Sequence, residues 1–304
     1  MEYFLIDDTF PRLPNSAVTL GKFDGIHSGH RKLLKNVTDW KEKGALAVMF
    51  AFCSGEKMLL TREERKTLAE ELSLDVLIEC PLDETIRHMK AERFTREILK
   101  GDLHAVNITV GEDFRFGYER RGTPDLLKEL GHDLDFETTV IPFETDGGRK
   151  ISSTYVREEL RSGHMEKTAQ LLGAPFRFDS LVEHGRGLGH KRLLPTLNLI
   201  PPEDKLMPPN GVYMTLTYID GGVFPGMTDV GTKPTVGGSF CAAETYLLEG
   251  GRDLYGLPCR TEFLHYHRKE KRFDNLEALK KQLHDDVAAA EIWFADQGRG
   301  GSEQ

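Results

Sequence analysis

Two histidines three residues apart, His27 and His30, lie in the string Gly21-Lys22-Phe23-Asp24-Gly25-Ile26-His27-Ser28-Gly29-His30. The string follows a short apolar segment, Ala17-Val18-Thr19-Leu20, and opens a stretch of helical character that runs towards Trp40. It is therefore expected where a strand hands over to a helix. Such a helix start offers free N–H groups and the positive end of a dipole to a phosphate. The glycines Gly21 and Gly25 let backbone approach a ligand closely. At this spacing His27 and His30 can face the same phosphates and donate hydrogen bonds to oxygens that gain charge as a phosphorus is attacked. Taken alone, a pair of histidines is an ordinary surface feature.

Further segments could join them. Gly111-Glu112-Asp113-Phe114-Arg115-Phe116-Gly117 follows a strand-like run ending at Val110, and by itself could be a loop with two core phenylalanines. Ser152-Ser153-Thr154, ahead of Tyr155-Val156-Arg157, reads by itself as a helix cap. A second, separate group lies downstream. His184-Gly185-Arg186-Gly187-Leu188-Gly189-His190-Lys191 is a Gly-rich loop with basic residues that suits a polyphosphate, although no G-K-[ST] ends it as in a Walker A loop. Thr196, Asn198 and Glu244 follow on strand-like segments, where Glu244 alone would read as a solvated strand residue. Thr196 and Asn198, two apart, would share one face, expected to be the inward one.

The elements that must position these groups differ between the two halves of the chain. At 304 residues two domains are expected, because a single core rarely grows past roughly 250–300 residues. The first half alternates strand-like and helix-like segments: strands at 17–20, 45–53, 75–78, 105–110 and 138–141, with helices between them. That alternation predicts an α/β fold with a parallel sheet covered on both faces. A helix over about 155–172 leads to Gly173-Ala174-Pro175, a boundary signal. Beyond it, short strands at 176–182, 211–219, 223–229, 243–248 and 259–266, punctuated by Gly and Pro, predict a small antiparallel β-barrel. A terminal helix carries the stripe Leu276, Leu279, Leu283, Val287, Ala290 and Phe294, read as packing.

The bulk numbers exclude some classes. The net charge of −9 disfavours general nucleic-acid binding. The beginning Met1-Glu2-Tyr3-Phe4 lacks the pattern of a signal peptide, and the longest apolar run, Ala45 to Cys53, is too short to span a bilayer. The four cysteines stand at neither zinc nor C-x-x-C spacing and read as free thiols. A cytoplasmic protein with small-molecule partners, no nucleic acid and no membrane is expected. Nothing in the sequence specifies an oligomer.

The string from Gly21 to His30 resembles the H-x-G-H signature of nucleotidyltransferases in the longer form, G-x-F-D-G-x-H-x-G-H, of FAD synthetases. Gly111 to Gly117 resembles that family's G-x-D-F-x-F-G, and Ile151 to Arg157 its I-S-S-T-x-x-R. Downstream, the Gly-rich loop with Pro195-Thr196-Leu197-Asn198 resembles the riboflavin kinase family, as do Pro209 to Tyr213, Gly231 to Thr235, Asp253 to Gly256 and Arg272 to Leu276. Together they resemble the bacterial bifunctional riboflavin kinase/FAD synthetase from about Val18 to Phe294. The resemblance implies a Rossmann-like FMN adenylyltransferase domain at 1–174 and a barrel riboflavin kinase domain with a terminal helix at 175–304. It implies ATP as co-substrate, Mg²⁺, and riboflavin, FMN and FAD as substrates and products.

By the same resemblance His27 and His30 are catalytic. Gly21, Phe23, Asp24, Gly25, Ser152, Ser153, Thr154 and Arg157 hold ATP, and Asp113, Phe114 and Phe116 form the flavin and nucleotide pocket. In the kinase half Gly185, Arg186, Gly187 and Lys191 hold phosphates, Thr196 and Asn198 serve Mg²⁺–ATP, and Glu244 is the base. There are departures. The family's T-F-x-P-H-P reads Met49-Phe50-Ala51-Phe52-Cys53-Ser54, which is expected to reshape one wall of the first pocket, and Leu193 and Leu197 replace Gly and Ala, expected to add bulk beside the second phosphate site. The alternatives are an enzyme with one active half and a flavin-binding regulator; intact His27, His30, Thr196, Asn198 and Glu244 favour two active sites.

Overall fold

The structure is a computed structural model, and it describes residues 1–7, 9–53, 57–183, 195–235, 238–249 and 254–298. The chain divides into two compact units, Met1–Tyr155 and Val156–Gln304.

The first unit is built on a six-stranded parallel sheet. Its strands are β1 (Glu2–Leu5), β2 (Ser16–Gly21), β3 (Leu46–Cys53), β4 (Val76–Pro81), β5 (Ala105–Gly111) and β6 (Glu137–Ile141), in the spatial order β1-β4-β3-β2-β5-β6. Helices α1 (Ser28–Asp39), α2 (Arg62–Glu71), α3 (Glu84–His88), α4 (Ala91–Arg93) and α5 (Pro124–Leu134) connect them, and α4 continues as a wider π-turn over Phe94–Asp102. Alternate strand residues serve two cores. Val18, Leu20, Val48, Phe50 and Ile78 pack with Ile98 and Leu127, while Ala17, Ala47, Met49 and Leu77 pack with Leu34 and Val37 of α1. Burial on both faces explains why these strands read as continuous apolar runs. β1 was not legible in the sequence: it is a four-residue edge strand, paired only with β4, whose residues are all at least partly exposed. A two-stranded hairpin, β7 (Thr145–Asp146) and β8 (Arg149–Lys150), completes the unit.

Helix α6 (Ser153–Arg161) spans the division between the units, and α7 (Met165–Leu172) follows. The single helix expected over 155–172 is two, because Gly163 takes a left-handed φ of 78° between them. The expected boundary at residue 174 falls between α7 and β9 (Phe176–Glu183). The compact units divide earlier, since α7 packs against β9 and β14 (Pro258–Arg268).

The second unit is a closed antiparallel barrel in the order β10-β13-β12-β11-β14-β9, with β10 (Thr196–Leu199), β11 (Gly211–Ile219), β12 (Gly222–Thr235) and β13 (Gly238–Leu247). Its interior holds Phe176, Phe178, Tyr213 and Phe263, in ring contact, beside a hydrogen-bonded row of buried hydroxyls, Thr215–Thr228–Thr245. The terminal helix α8 (Leu276–Asp296) covers an outer face, where Ala290 and Phe294 pack on Val212, Met214 and Met227. The expected stripe divides. Val287, Ala290 and Phe294 pack, whereas Leu276 is exposed and Leu279 and Leu283 are half-buried. Asp286, on the same helix, is buried and accepts from Arg268 Nε at 2.8 Å and Nη2 at 2.5 Å, locking α8 to β14.

Candidate active sites

In the parallel sheet the connections run outward from β2 on both sides, to β3 and β4 one way and to β5 and β6 the other. Ligands in such sheets bind beyond the carboxyl ends of the strands at the point of reversal. That crevice lies between the ends of β2 at Gly21 and β5 at Gly111, and the first two sequence segments leave from those ends. A cavity of about 580 Å³ opens there, lined by Gly21, His27, His30, Asp113, Ser152 and Ser153 among others.

The loop from β2 into α1 is held in an unusual backbone path. Phe23 (φ 48°), Gly25 (φ 87°) and Ile26 (φ 45°) are all left-handed, a region that non-glycine residues adopt at a cost. Three anchors secure it. The Phe23 and Ile26 side chains are fully buried, the Asp24 carboxylate accepts from the Leu59 N–H at 2.7 Å, and the Asp24 carbonyl accepts from the Ser153 hydroxyl at 2.7 Å. Asp24 and Ser153 thus tie the loop to β3–α2 and α6. Ser152 Oγ accepts from the Tyr155 N–H at 3.3 Å, the capping role its position suggested.

His27 is the N-cap of α1. Its Nδ1 accepts from the His30 N–H at 3.4 Å, and the two rings stack with centroids 3.7 Å apart. A Cβ on Gly29 would lie 3.3 Å from the His27 ring, so glycine leaves room for this arrangement. Burial, with the Lys150 charge second, lowers the His27 pKa to about 4; burial also pushes His30 well below the ordinary histidine value, aided by His27 and Lys150. Both imidazoles are therefore neutral near pH 7. With Nδ1 an acceptor, neutral His27 carries its proton on Nε2, leaving that N–H as the donor for a ligand. His30 Nδ1 is buried with no hydrogen-bond partner among the described residues.

One wall of the cavity is aromatic. Phe114 and Phe116 stack at 5.5 Å, Phe116 meets Phe94 at 6.0 Å, and Phe94 meets Phe52 at 6.0 Å. Phe52, where the family pattern has proline, is itself part of the lining. The next residue, Cys53, lies 3.7 Å from Arg65 Nη1, a guanidinium buried against Glu79 at 2.6 Å; Ser54 lies outside the described residues. Lys150, paired with Asp113, and Glu144, paired with Lys32, line the cavity near the histidines. Neither was legible in the sequence, because Glu144 precedes and Lys150 ends a hairpin of two-residue strands, too short to show a periodicity. Thr154 is exposed and Arg157 half-buried, and neither is among the cavity's lining residues.

In the barrel, strand register brings the downstream residues together. Asn198 pairs with Glu244, Glu244 with Asp229, and Asp229 with Val212, so all four share one side of the sheet. Thr196 belongs to the neighbouring row with Tyr246, Met227 and Met214. Val212, Met214 and Met227 pack on α8. Thr196 and Asn198 therefore face outward on the side that α8 covers, not inward as expected. The interior side is taken by Leu199 and by Leu197, which is in register with Thr245. That corrects a second expectation, since the bulk of Leu197 is directed away from the Thr196–Asn198 face. Gly185, Arg186, Gly187, Lys191 and Leu193 lie outside the described residues. Two oxygen donors on one strand face, half-buried and opposite a carboxylate, suit Mg²⁺, which keeps water and phosphate oxygens in its shell and needs few protein ligands.

The sequence model of the FAD synthetase family matches residues 10–155, and that of the riboflavin kinase family residues 172–294. The bifunctional riboflavin kinase/FMN adenylyltransferase of Escherichia coli (strain K12) is 32% identical over 289 residues, covering 91% of this chain and 92% of that protein. The chain belongs to this family. The protein of the same description from Pseudomonas fluorescens is 32% identical over 291 residues, covering 92% and 93% of the two chains. A crystal structure from Streptococcus pneumoniae, described as a macrolide-efflux protein, superposes with a TM-score of 0.84 at 25% identity, covering 95% of this chain and 99% of that one. Among the described residues of this chain, no helix is long and apolar enough to cross a membrane.

Proposed function

We propose that this chain is a cytoplasmic enzyme with two active sites, which phosphorylates riboflavin to FMN in residues 175–304 and adenylylates FMN to FAD in residues 1–174. The observation that carries the adenylyl-transfer half is the neutral, stacked His27–His30 pair at the start of α1, at the mouth of an aromatic-walled cavity between β2 and β5. In this reading the FMN phosphate attacks the α-phosphorus of ATP and pyrophosphate leaves. His27 donates its Nε2–H to a phosphate oxygen that gains charge, and the N-terminal amides of α1 add to that stabilisation. Asp24 and Ser153 hold the loop in place, and Ser152 caps α6 at the cavity edge. Phe114 and Phe116 offer flat apolar surface to the flavin or adenine ring.

In the barrel Glu244 orients the ribityl 5′-hydroxyl and accepts its proton as it attacks the γ-phosphorus of ATP. Its register position beside Asn198 supports this role. Thr196 and Asn198 would hold Mg²⁺, which supplies charge neutralisation at the ATP phosphates when bound. The partners are small molecules, with no nucleic acid, and the four free thiols fit a reducing cytoplasm.

The test is incubation of the purified chain with riboflavin, ATP and Mg²⁺, followed by chromatography of the flavins. FMN followed by FAD is expected. FMN alone would place a defect in the first half, and unchanged riboflavin would remove the kinase.

A further inference from the structure

We infer that Arg87 determines ring specificity in the first cavity, donating hydrogen bonds to the carbonyl edge of the flavin while the FMN phosphate lies at the histidines. The inference rests on the reading of that cavity as the site of FMN adenylylation.

The cavity has two polar ends. One is the start of α1, with His27, His30, Ser152 and Ser153. The other is α3, which follows β4, whereas the histidine loop follows β2. Strand β3 lies between those two in the sheet, so at about 4.8 Å per strand the two connections set out about 10 Å apart. The electrostatics agree: the pKa values of both histidines feel the charge of Lys150 and not that of Arg87. Phe52, near the end of β3, belongs to the aromatic wall that also holds Phe94, Phe114 and Phe116. Ile86 and Met89 of the α3 connection pack on the same core and continue the lining.

Arg87 sits between those two apolar residues and lines the cavity. Its backbone is well fixed. The Tyr118 N–H donates to the Met89 carbonyl at 2.8 Å, the His88 and Tyr118 rings are 5.4 Å apart, and a Cβ on Gly117 would lie 2.7 Å from the backbone of Ala91. Its guanidinium has no hydrogen-bond or ion-pair partner among the described residues. The nearby carboxylates are engaged elsewhere. Asp83 caps α3, accepting from the Ile86 N–H at 2.8 Å, and Glu119 is paired with Arg121 at 2.6 Å.

FMN matches this layout. Its phosphate must reach the α-phosphorus at the histidines, and its ring must then lie along the apolar wall. A tricyclic ring uses the length of that wall better than a purine does. The ring has one methylated end and one end with two carbonyls. A charged guanidinium is costly to cover with methyl groups, whereas its planar fork of donors suits carbonyl oxygens. The carbonyl end therefore points to α3.

The experiment measures FAD formation by the full chain and by Arg87→Met and Arg87→Lys, with FMN and with its 2-thio and 4-thio analogues. FMN formation from riboflavin controls for the fold and should be unchanged in both variants. Arg87→Met should raise KM for FMN about tenfold, the low end for one hydrogen bond from a charged donor, and leave KM for ATP within about twofold. Arg87→Lys should recover part of that loss. Sulfur accepts hydrogen bonds weakly, so the unmodified chain should disfavour at least one thio analogue by about threefold, and Arg87→Met should not discriminate. An unchanged KM for FMN in Arg87→Met would overturn the inference. So would a raised KM for ATP instead, which would place adenine at α3, or undiminished discrimination against the thio analogues, which would place Arg87 at the phosphate. An unmodified chain that makes no FAD would remove the reading on which the inference rests.

Discussion

Replacing His27 by Gln should flatten the acid side of the stability profile. In the folded chain His27 is surrounded by His30, Lys150, Asp24 and Glu144, and its pKa falls from 6.5 to about 4, chiefly through burial. The unfolded chain therefore binds a proton near pH 6.5 that the folded chain refuses until about pH 4. The stability due to neutral His27 is full above about pH 6.5 and is lost as the pH falls through the folded value. At about 1.36 kcal/mol per pH unit the complete loss is about 3.4 kcal/mol, of which about 2 kcal/mol falls between pH 7 and pH 5. Urea unfolding followed by circular dichroism, at those two pH values, measures it for the unmodified chain and for His27→Gln. Other titrating groups contribute to both proteins and cancel in the difference. The unmodified chain should lose about 2 kcal/mol more than the variant. Equal losses would refute the lowered pKa of His27.

Other outcomes follow from the same geometry. Nitrogen NMR of labelled histidine should find the His27 proton on Nε2 at pH 7; a proton on Nδ1 would contradict the bond from the His30 N–H. His30→Ala should impair FAD formation while sparing FMN formation, and Glu244→Gln should do the reverse when each step starts from its own substrate. Loss of both activities in either variant would count against independent sites. Arg65→Met strands the Glu79 carboxylate in a site where both side chains are 1% exposed, and should destabilise the first unit by about 3–5 kcal/mol in thermal unfolding. A loss below about 1 kcal/mol would mean that water or Arg62, 2.9 Å from Glu79, compensates the charge.

The local pattern of the sequence determined a good deal. Runs such as Ala45 to Cys53 are apolar at every position because both faces of a parallel strand are buried, so the sheet of the first unit was legible from hydropathy alone. The H-x-G-H string was legible too, since its spacing is set by one turn of α1 and by the room Gly29 leaves for the His27 ring. β1 was not, because a four-residue edge strand takes its stability from β4 rather than from its own periodicity. Tertiary structure alone decided which way β10 faces. Alternation says that Thr196 and Asn198 share a side, but only their register with β13, and through β12 with β11, shows that this is the side α8 covers. Likewise no sequence rule brings Lys150 beside two histidines more than a hundred residues away. That proximity arises because β2 and β5 are neighbours at the reversal point of the sheet, and the hairpin after β6 folds back over their ends. The neutrality of the histidines has the same origin: a side chain carries its ordinary pKa in the sequence, and only burial by distant parts of the chain removes the water that would stabilise its charge.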